Sequence, residues 1–177
     1  SDDDVEGIRF AGLLHDIGKL AVDKTIINKP SSLTNFEWGE LHSHPVIGYE
    51  ILSKIKFPWK SIPLITRNHH EKVDGSGYPD KLKKSEIPIG ARITGLVDAF
   101  DAMTTDRPYR SRRSFVDAMN ELKINCNKHF DTDIAHTFIT VVRKEVLELN
   151  SPSIIPHLQE RLEVAAINKL HECFPKD

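Results

Sequence analysis

The sequence predicts an all-α fold, a bundle of about seven helices, and three observations carry that expectation. Apolar residues recur every three to four positions through most of the chain, the period of a helix with one buried face. No segment of useful length alternates apolar and polar residues, as a half-buried strand would. The stretches between periodic segments are short, as they are between neighbouring helices of a bundle.

Taken in order, "EGIRFAGLLHDIG" places Ile8, Ala11, Leu14 and Ile17 on one stripe and stops at Gly18. "LTNFEWGELHSHP" opens with Thr34 and carries Glu37 three positions on, the pattern of a capping box. Pro45 sets a bend before a second helix, "VIGYEILSKI". Further helices are expected over 60–70, 88–104, 114–124, 133–149 and 154–173, with Asp131 or Thr132 and Ser153 as N-caps. "NSPSIIP" at 150–156 separates a last helix rather than a domain. The expected organisation is therefore a main unit over 1–149, with a helical segment over 150–177 packed on it. "SDDDVEG" leads almost at once into a helix, which reads as a chain that starts inside its fold, short of a first helix.

A length of 177 residues suits one well-buried core. With 39% hydrophobic and 28% charged residues, the composition is that of an ordinary globular domain. A net charge of −2 argues against DNA as a partner, because sequence-independent binders carry a basic excess. No apolar run approaches the length of a membrane span, so no membrane contact is expected. Cys126 and Cys173 make neither a disulfide framework nor a zinc-finger spacing, and a reduced, cytoplasmic setting follows. The informative count is histidine: nine in all, five of them within residues 15–70.

Those five fall in three clusters. "HDIGK" sets His15 beside Asp16, with Lys19 following; a nitrogen and a carboxylate together suit hard or intermediate divalent ions. An isolated His-Asp pair is more often a surface histidine beside a capping acid. Here the flanking Leu13, Leu14 and Ile17 should bury the pair, and buried polar groups need partners. "HSHP" offers His44 at a helix break, whereas His42 reads as an ordinary exposed histidine. "HHE" supplies His69 and His70, which point about 100° apart if helical and could share one centre only at a helix end. "LVDAFDAM" then places Asp98 in an apolar helix, where a lone carboxylate is costly unless it is paired or bound to a metal. Asp101 lies one turn further on the same face, and "DGSGYP" follows the histidine pair as a glycine loop carrying Tyr78. Glu71 and Asp74 read as groups that orient a ligand or fix that loop rather than as ligands themselves. "RPYRSRR" at 107–113 is a basic cluster, and His129, His136, His157 and His171 lack partners in sequence and read as surface or packing residues.

"HDIGK", "H-P-x-x-G" at 44–48, "HHExxDGxGYP" at 69–79 and "DxxDAMTxDRPYR" at 98–110 together resemble the HD-GYP domain, a branch of the HD metal-dependent phosphohydrolases. The array runs in the family's order from about Leu13 to "FD" at 130–131. The resemblance implies an HD-type helical bundle and a cyclic di-GMP phosphodiesterase that hydrolyses its substrate to pGpG, GMP or both through a metal-activated hydroxide. It implies two or three divalent ions, iron or manganese ahead of nickel or cobalt, held by His15, Asp16, His44, His69, His70 and Asp98, with Asp16 bridging. It gives Asp16 and Lys19 catalytic roles, and makes Lys19, Tyr78, Arg107 and Arg110 the contacts to substrate. Its further implications are a diguanylate cyclase domain as partner and a sensor or receiver domain upstream in the full-length protein. In the family another histidine, often with a glutamate, comes from a helix well before "HDIGK". The competing expectation is a sensor or interaction module that binds the dinucleotide or a cyclase domain without turnover. A general nucleotidase acting on monophosphates conflicts with "DGSGYP".

Overall fold

The computed structural model describes residues 2–106 and 111–147. Among these, eight α-helices and two short 3-10 turns are present and no strand; one isolated bridge pairs Cys126 with Phe130. The order is α1 (Asp2–Leu14), a 3-10 turn (Ile17–Ala21), α2 (Lys24–Ile27), α3 (Asn35–His42), α4 (His44–Leu52), α5 (Ile62–Asn68), a second 3-10 turn (Lys84–Glu86), α6 (Ile89–Thr104), α7 (Phe115–Ile124) and α8 (Thr132–Leu147). The expected all-α class holds, with one helix more than the count from periodicity. The addition is α2, four residues long, started by Asp23 accepting the Thr25 backbone N–H at 2.8 Å. One turn is too short to show a period. The segment 154–173, its N-cap Ser153 and the unit proposed for 150–177 lie outside the described residues.

Helix ends follow local chemistry. Thr34 and Glu37 form the expected capping box, the Thr34 hydroxyl accepting the Glu37 N–H and the Glu37 carboxylate accepting the Thr34 N–H. Asp131 starts α8, its Oδ1 accepting the N–H groups of Asp133 and Ile134. The first helix stops at Leu14 rather than running to Gly18, and its continuation is the tighter 3-10 turn. Leu13, expected to cover the His-Asp pair, is 77% exposed. It sits one residue from the stripe of Ala11 and Leu14, and a 100° step turns it to solvent.

Two apolar clusters hold the bundle. Ala11, Leu52, Ile62 and Ile65 join α1, α4 and α5, flanked by half-buried Ile8, Leu14, Ile17, Phe57 and Trp59. A larger cluster joins α6, α7 and α8 through Leu96, Phe100, Met103, Phe115, Met119, Leu122, Ile139 and Val142. Helix α6 also packs on α5 and α1, so it is shared by both halves. A small cluster of Val73, Ile87 and Ala91 ties the glycine loop to the start of α6. The ends of α1 and α5 thus meet against α6, and the start of α4 packs on α5 and on the first 3-10 turn.

Candidate metal centre

Three histidines are oriented by one repeated local device. His15 Nδ1 lies 2.6 Å from the Gly12 carbonyl, His44 Nδ1 2.6 Å from that of Leu41, and His69 Nδ1 2.6 Å from that of Thr66. Each acceptor lies three residues back, at or near a helix end where carbonyls lack the N–H four residues on that a continuing helix would supply. A carbonyl only accepts, so each ring carries its proton on Nδ1. When the ring is neutral, Nε2 then presents a lone pair.

Those Nε2 atoms converge. His15 Nε2, His44 Nε2, His69 Nε2 and Asp16 Oδ1 are all buried and make no hydrogen bond. His44 Nε2 lies 3.3 Å from Asp16 Oδ1, and His15 Nε2 lies 3.4 Å from Asp16 Oδ2 and 3.7 Å from Asp98 Oδ1. Buried acceptors facing one another without a proton between them repel, and a cation in their midst removes that penalty. His70 completes the set, its ring centroid 4.0 Å from that of His69 and 5.0 Å from that of His44. Two groups have ligand atoms close enough for an ion: His15, Asp16 and His69, and His44, His69 and His70. With Nδ1 committed to Thr66, His69 has a single free nitrogen and can serve one group at a time. The adjacency of His69 and His70 works because α5 ends at Asn68, which frees both rings to turn to the same side.

Close backbone approach makes this possible. A Cβ on Gly18 would collide with the His44 carbonyl, and one on Gly95 with the His69 carbonyl. Glycine at these two positions lets the turn after His15 sit on α4, and α6 sit on the end of α5.

Electrostatics favour ligation at Asp16, His69 and His70. Burial would raise the Asp16 pKa, but the Lys19 ammonium, whose Nζ donates to Oδ2 at 2.6 Å, holds it well below the usual carboxylate range. Burial holds the imidazole of His69 neutral, its pKa pushed down to about 4, and pushes that of His70 down as well, aided by His69 and His44. His15 goes the other way: its burial is outweighed by the carboxylates of Asp98 and Asp16, which raise its pKa. Asp98, half-buried, is shifted down despite burial by His15. Asp101 does not join the centre. It is exposed and accepts the Thr105 hydroxyl at 3.2 Å.

The glycine loop closes one side. Buried Glu71 anchors its far leg, with Oε1 accepting the N–H groups of Asp80 and Lys81 at 2.6 and 3.1 Å, and Oε2 that of Leu82 at 3.0 Å. Asp80 in turn accepts a bidentate pair from Arg67, both contacts at 2.7 Å. Asp74 fixes the turn by accepting the Ser76 N–H at 2.8 Å. Half-buried Tyr78 stacks on His70 with ring centroids 4.8 Å apart and on His42 at 4.0 Å. Burial, then Asp98 and Asp16, raise its hydroxyl pKa, so it stays a phenol. His42 is exposed, as its sequence context predicts, but the sequence does not show its stack on Tyr78. Its contact spans 36 positions between two loop-connected elements, and no local pattern announces it. Arg107 and Arg110 lie outside the described residues. The structure therefore brings His15, Asp16, Lys19, His44, His69, His70, Tyr78 and Asp98 together.

A model of the HD domain family matches residues 1–134. The chain is 37% identical over 146 residues to the cyclic di-GMP phosphodiesterase of Thermotoga maritima, covering 82% of this chain and 39% of that protein. It is 38% identical over 133 residues to 3′3′-cGAMP-specific phosphodiesterase 3 of Vibrio cholerae, covering 75% of this chain and 29% of that protein. The chain thus spans between a quarter and two fifths of the length of these relatives. A crystal structure of a cyclic GMP-AMP-specific phosphodiesterase of V. cholerae superposes with a TM-score of 0.62 at 17% identity, covering 99% of this chain and 44% of that one, which extends the likeness to the fold. The match over residues 1–134, with the histidine and glycine motifs inside it, makes the chain a member of the HD domain family, in its HD-GYP branch.

Proposed function

We propose that the chain hydrolyses a cyclic dinucleotide, cyclic di-GMP first, to pGpG, GMP or both. The observation that carries this reading is the convergence of four buried, unpartnered acceptor atoms from His15, Asp16, His44 and His69. That donor set fits divalent cations, and membership of the HD family implies them. Two or three ions held by His15, Asp16, His44, His69, His70 and Asp98 are the reading, with Asp16 offering one oxygen to each side. Nitrogen and oxygen donors without a thiolate favour iron or manganese, with nickel or cobalt next. When bound, the ions would lower the pKa of a water and offset the charge of the phosphodiester.

The chain's own groups do the rest. Asp16 stays ionised beside its cationic neighbours, so it needs no deprotonation to bind. Lys19 sits with its ammonium at the rim of the centre and can pass from Asp16 to a non-bridging phosphate oxygen, placing positive charge where negative charge grows. Tyr78, a phenol at working pH, can donate its hydroxyl or offer its ring to the nucleotide. Arg107 and Arg110 are proposed as phosphate or guanine contacts on the motif resemblance. A cytoplasmic messenger as substrate accords with the lack of a helix long and apolar enough to cross a membrane among the described residues. The greater length of the relatives supports a sensor or receiver domain in the whole protein, and a diguanylate cyclase domain is the proposed partner.

The test is turnover by iron- or manganese-loaded protein of cyclic di-GMP, 3′3′-cGAMP and bis-(p-nitrophenyl) phosphate. Hydrolysis of cyclic di-GMP that drops at least a hundredfold in Lys19→Ala is the expected result. Tight binding of cyclic di-GMP without hydrolysis by any metal form would replace the enzyme with a sensor module.

A further inference from the structure

Helix α3 is hard to explain as a packing element. None of its residues is buried, yet it is sharply defined by the Thr34–Glu37 capping box and by Lys29, whose Nζ donates to both Glu37 oxygens at 2.7 and 2.8 Å. A solvated helix of eight residues gains little from propensity alone. What it presents is Trp38 and His42, four residues apart and therefore on one face. Trp38 lies 5.2 Å from His42 by ring centroids, and His42 stacks on Tyr78 at 4.0 Å with 24° between planes. Tyr78 stacks on His70 at 4.8 Å and 29°, and His70 belongs to the metal-centre cluster. The result is one continuous run of rings from the centre to the surface. Its outer end, Trp38, is 46% exposed and walls a cleft with Ile26, Ile27, Ser31, Ser32 and Leu33.

We propose that the Trp38 indole is the stacking platform for a purine base of the dinucleotide, with His42 as the positioning residue that links it to Tyr78. This rests on the phosphodiesterase reading, which places a phosphodiester at the other end of the run. A flat, exposed indole beside aliphatic walls suits a base face, and the hydroxyls of Ser31 and Ser32 suit its polar edge. Three ring-to-ring steps of 5.2, 4.0 and 4.8 Å link Trp38 to His70, so a base held at Trp38 is connected through packed rings to the metal-centre cluster.

Trp38 and Trp59 are the two tryptophans of the chain, which makes the proposal directly readable. In metal-loaded Trp59→Phe protein, stopped-flow mixing with cyclic di-GMP should quench Trp38 fluorescence saturably before turnover begins, and cyclic di-UMP should quench it far less. Trp38→Ala should weaken cyclic di-GMP binding about tenfold or more at unchanged metal content, with Trp38→Phe recovering most of the loss, as expected for base stacking. His42→Ala should weaken binding less, and should lower the quenching amplitude. Turnover of cyclic di-GMP without any quench would overturn the platform and leave the phosphodiesterase reading intact. Quenching without turnover of any cyclic dinucleotide would keep the platform and remove the hydrolase. Equal quenching by both dinucleotides would overturn the purine assignment.

Discussion

His15, His44 and His69 each spend Nδ1 on a carbonyl three residues back, and the consequence falls on Asp16. Its Oδ1 faces His44 Nε2 at 3.3 Å with no hydrogen between them. Replacing one oxygen by an amide nitrogen would supply that hydrogen. Asp16→Asn should therefore lose at least half of the bound metal and nearly all turnover. The metal-free protein, however, should keep its stability within about 1 kcal/mol, because a new buried hydrogen bond offsets the lost half-exposed contact to Lys19, itself worth about 0–1 kcal/mol. Metal analysis alongside urea melts of stripped protein checks both halves; a stripped variant several kcal/mol less stable would mean that Asp16 is structural. At this scale the sequence was informative about which residue types gather. The resemblance to the HD-GYP motifs named the six proposed ligands, but not that His69 has one free nitrogen, nor that His42 stacks on Tyr78. Both depend on a hydrogen bond or a contact that only the folded chain makes.

At the scale of elements, the far leg of the glycine loop is anchored by one buried carboxylate. Glu71 satisfies three consecutive backbone N–H groups at Asp80, Lys81 and Leu82, and it is buried. Glu71→Ala leaves those donors without a charged acceptor, a loss of about 2–3 kcal/mol after water reaches part of the gap. The loop leg should then exchange amide hydrogens quickly at 80–82, and Tyr78 should leave its stack on His70 while α7 and α8 keep their protection. Unchanged exchange at 80–82 would assign the loop's order to the Arg67–Asp80 pair instead. Glu71 was legible as loop-fixing because an acid beside a glycine turn has few other uses. Helix boundaries were legible where a cap marks them, at Thr34 and Asp131. They were misjudged after His15, where a 3-10 turn replaces the expected helix because the chain must bring Asp16 and Lys19 round to the centre.

Across the whole molecule, the centre sits between two unequal cores. Among the described residues, the α6–α8 cluster contains ten buried apolar residues and the α1–α4–α5 cluster four. His15, Asp16, His44, His69 and His70 all belong to the smaller half, and Asp98 reaches them from α6. Ions bound there would cross-link the ends of α1, α4 and α5 and tie them to α6, so the half with less apolar burial has more to gain from metal. Metal at a hundredfold excess over its Kd adds about 2.7 kcal/mol. For a domain of this size that raises Tm by roughly 5–10 °C. Chelation should reverse the gain, and it should raise amide exchange in α4 and α5 well above that in α7 and α8. Asp16→Asn should abolish the metal-dependent part of both effects. Calorimetry and hydrogen exchange on loaded and stripped protein read them together. A stripped protein that melts at the same temperature, or that loses protection evenly in both halves, would show that the smaller core stands without the ions and that the convergent histidines are not what ties α1, α4 and α5 to α6.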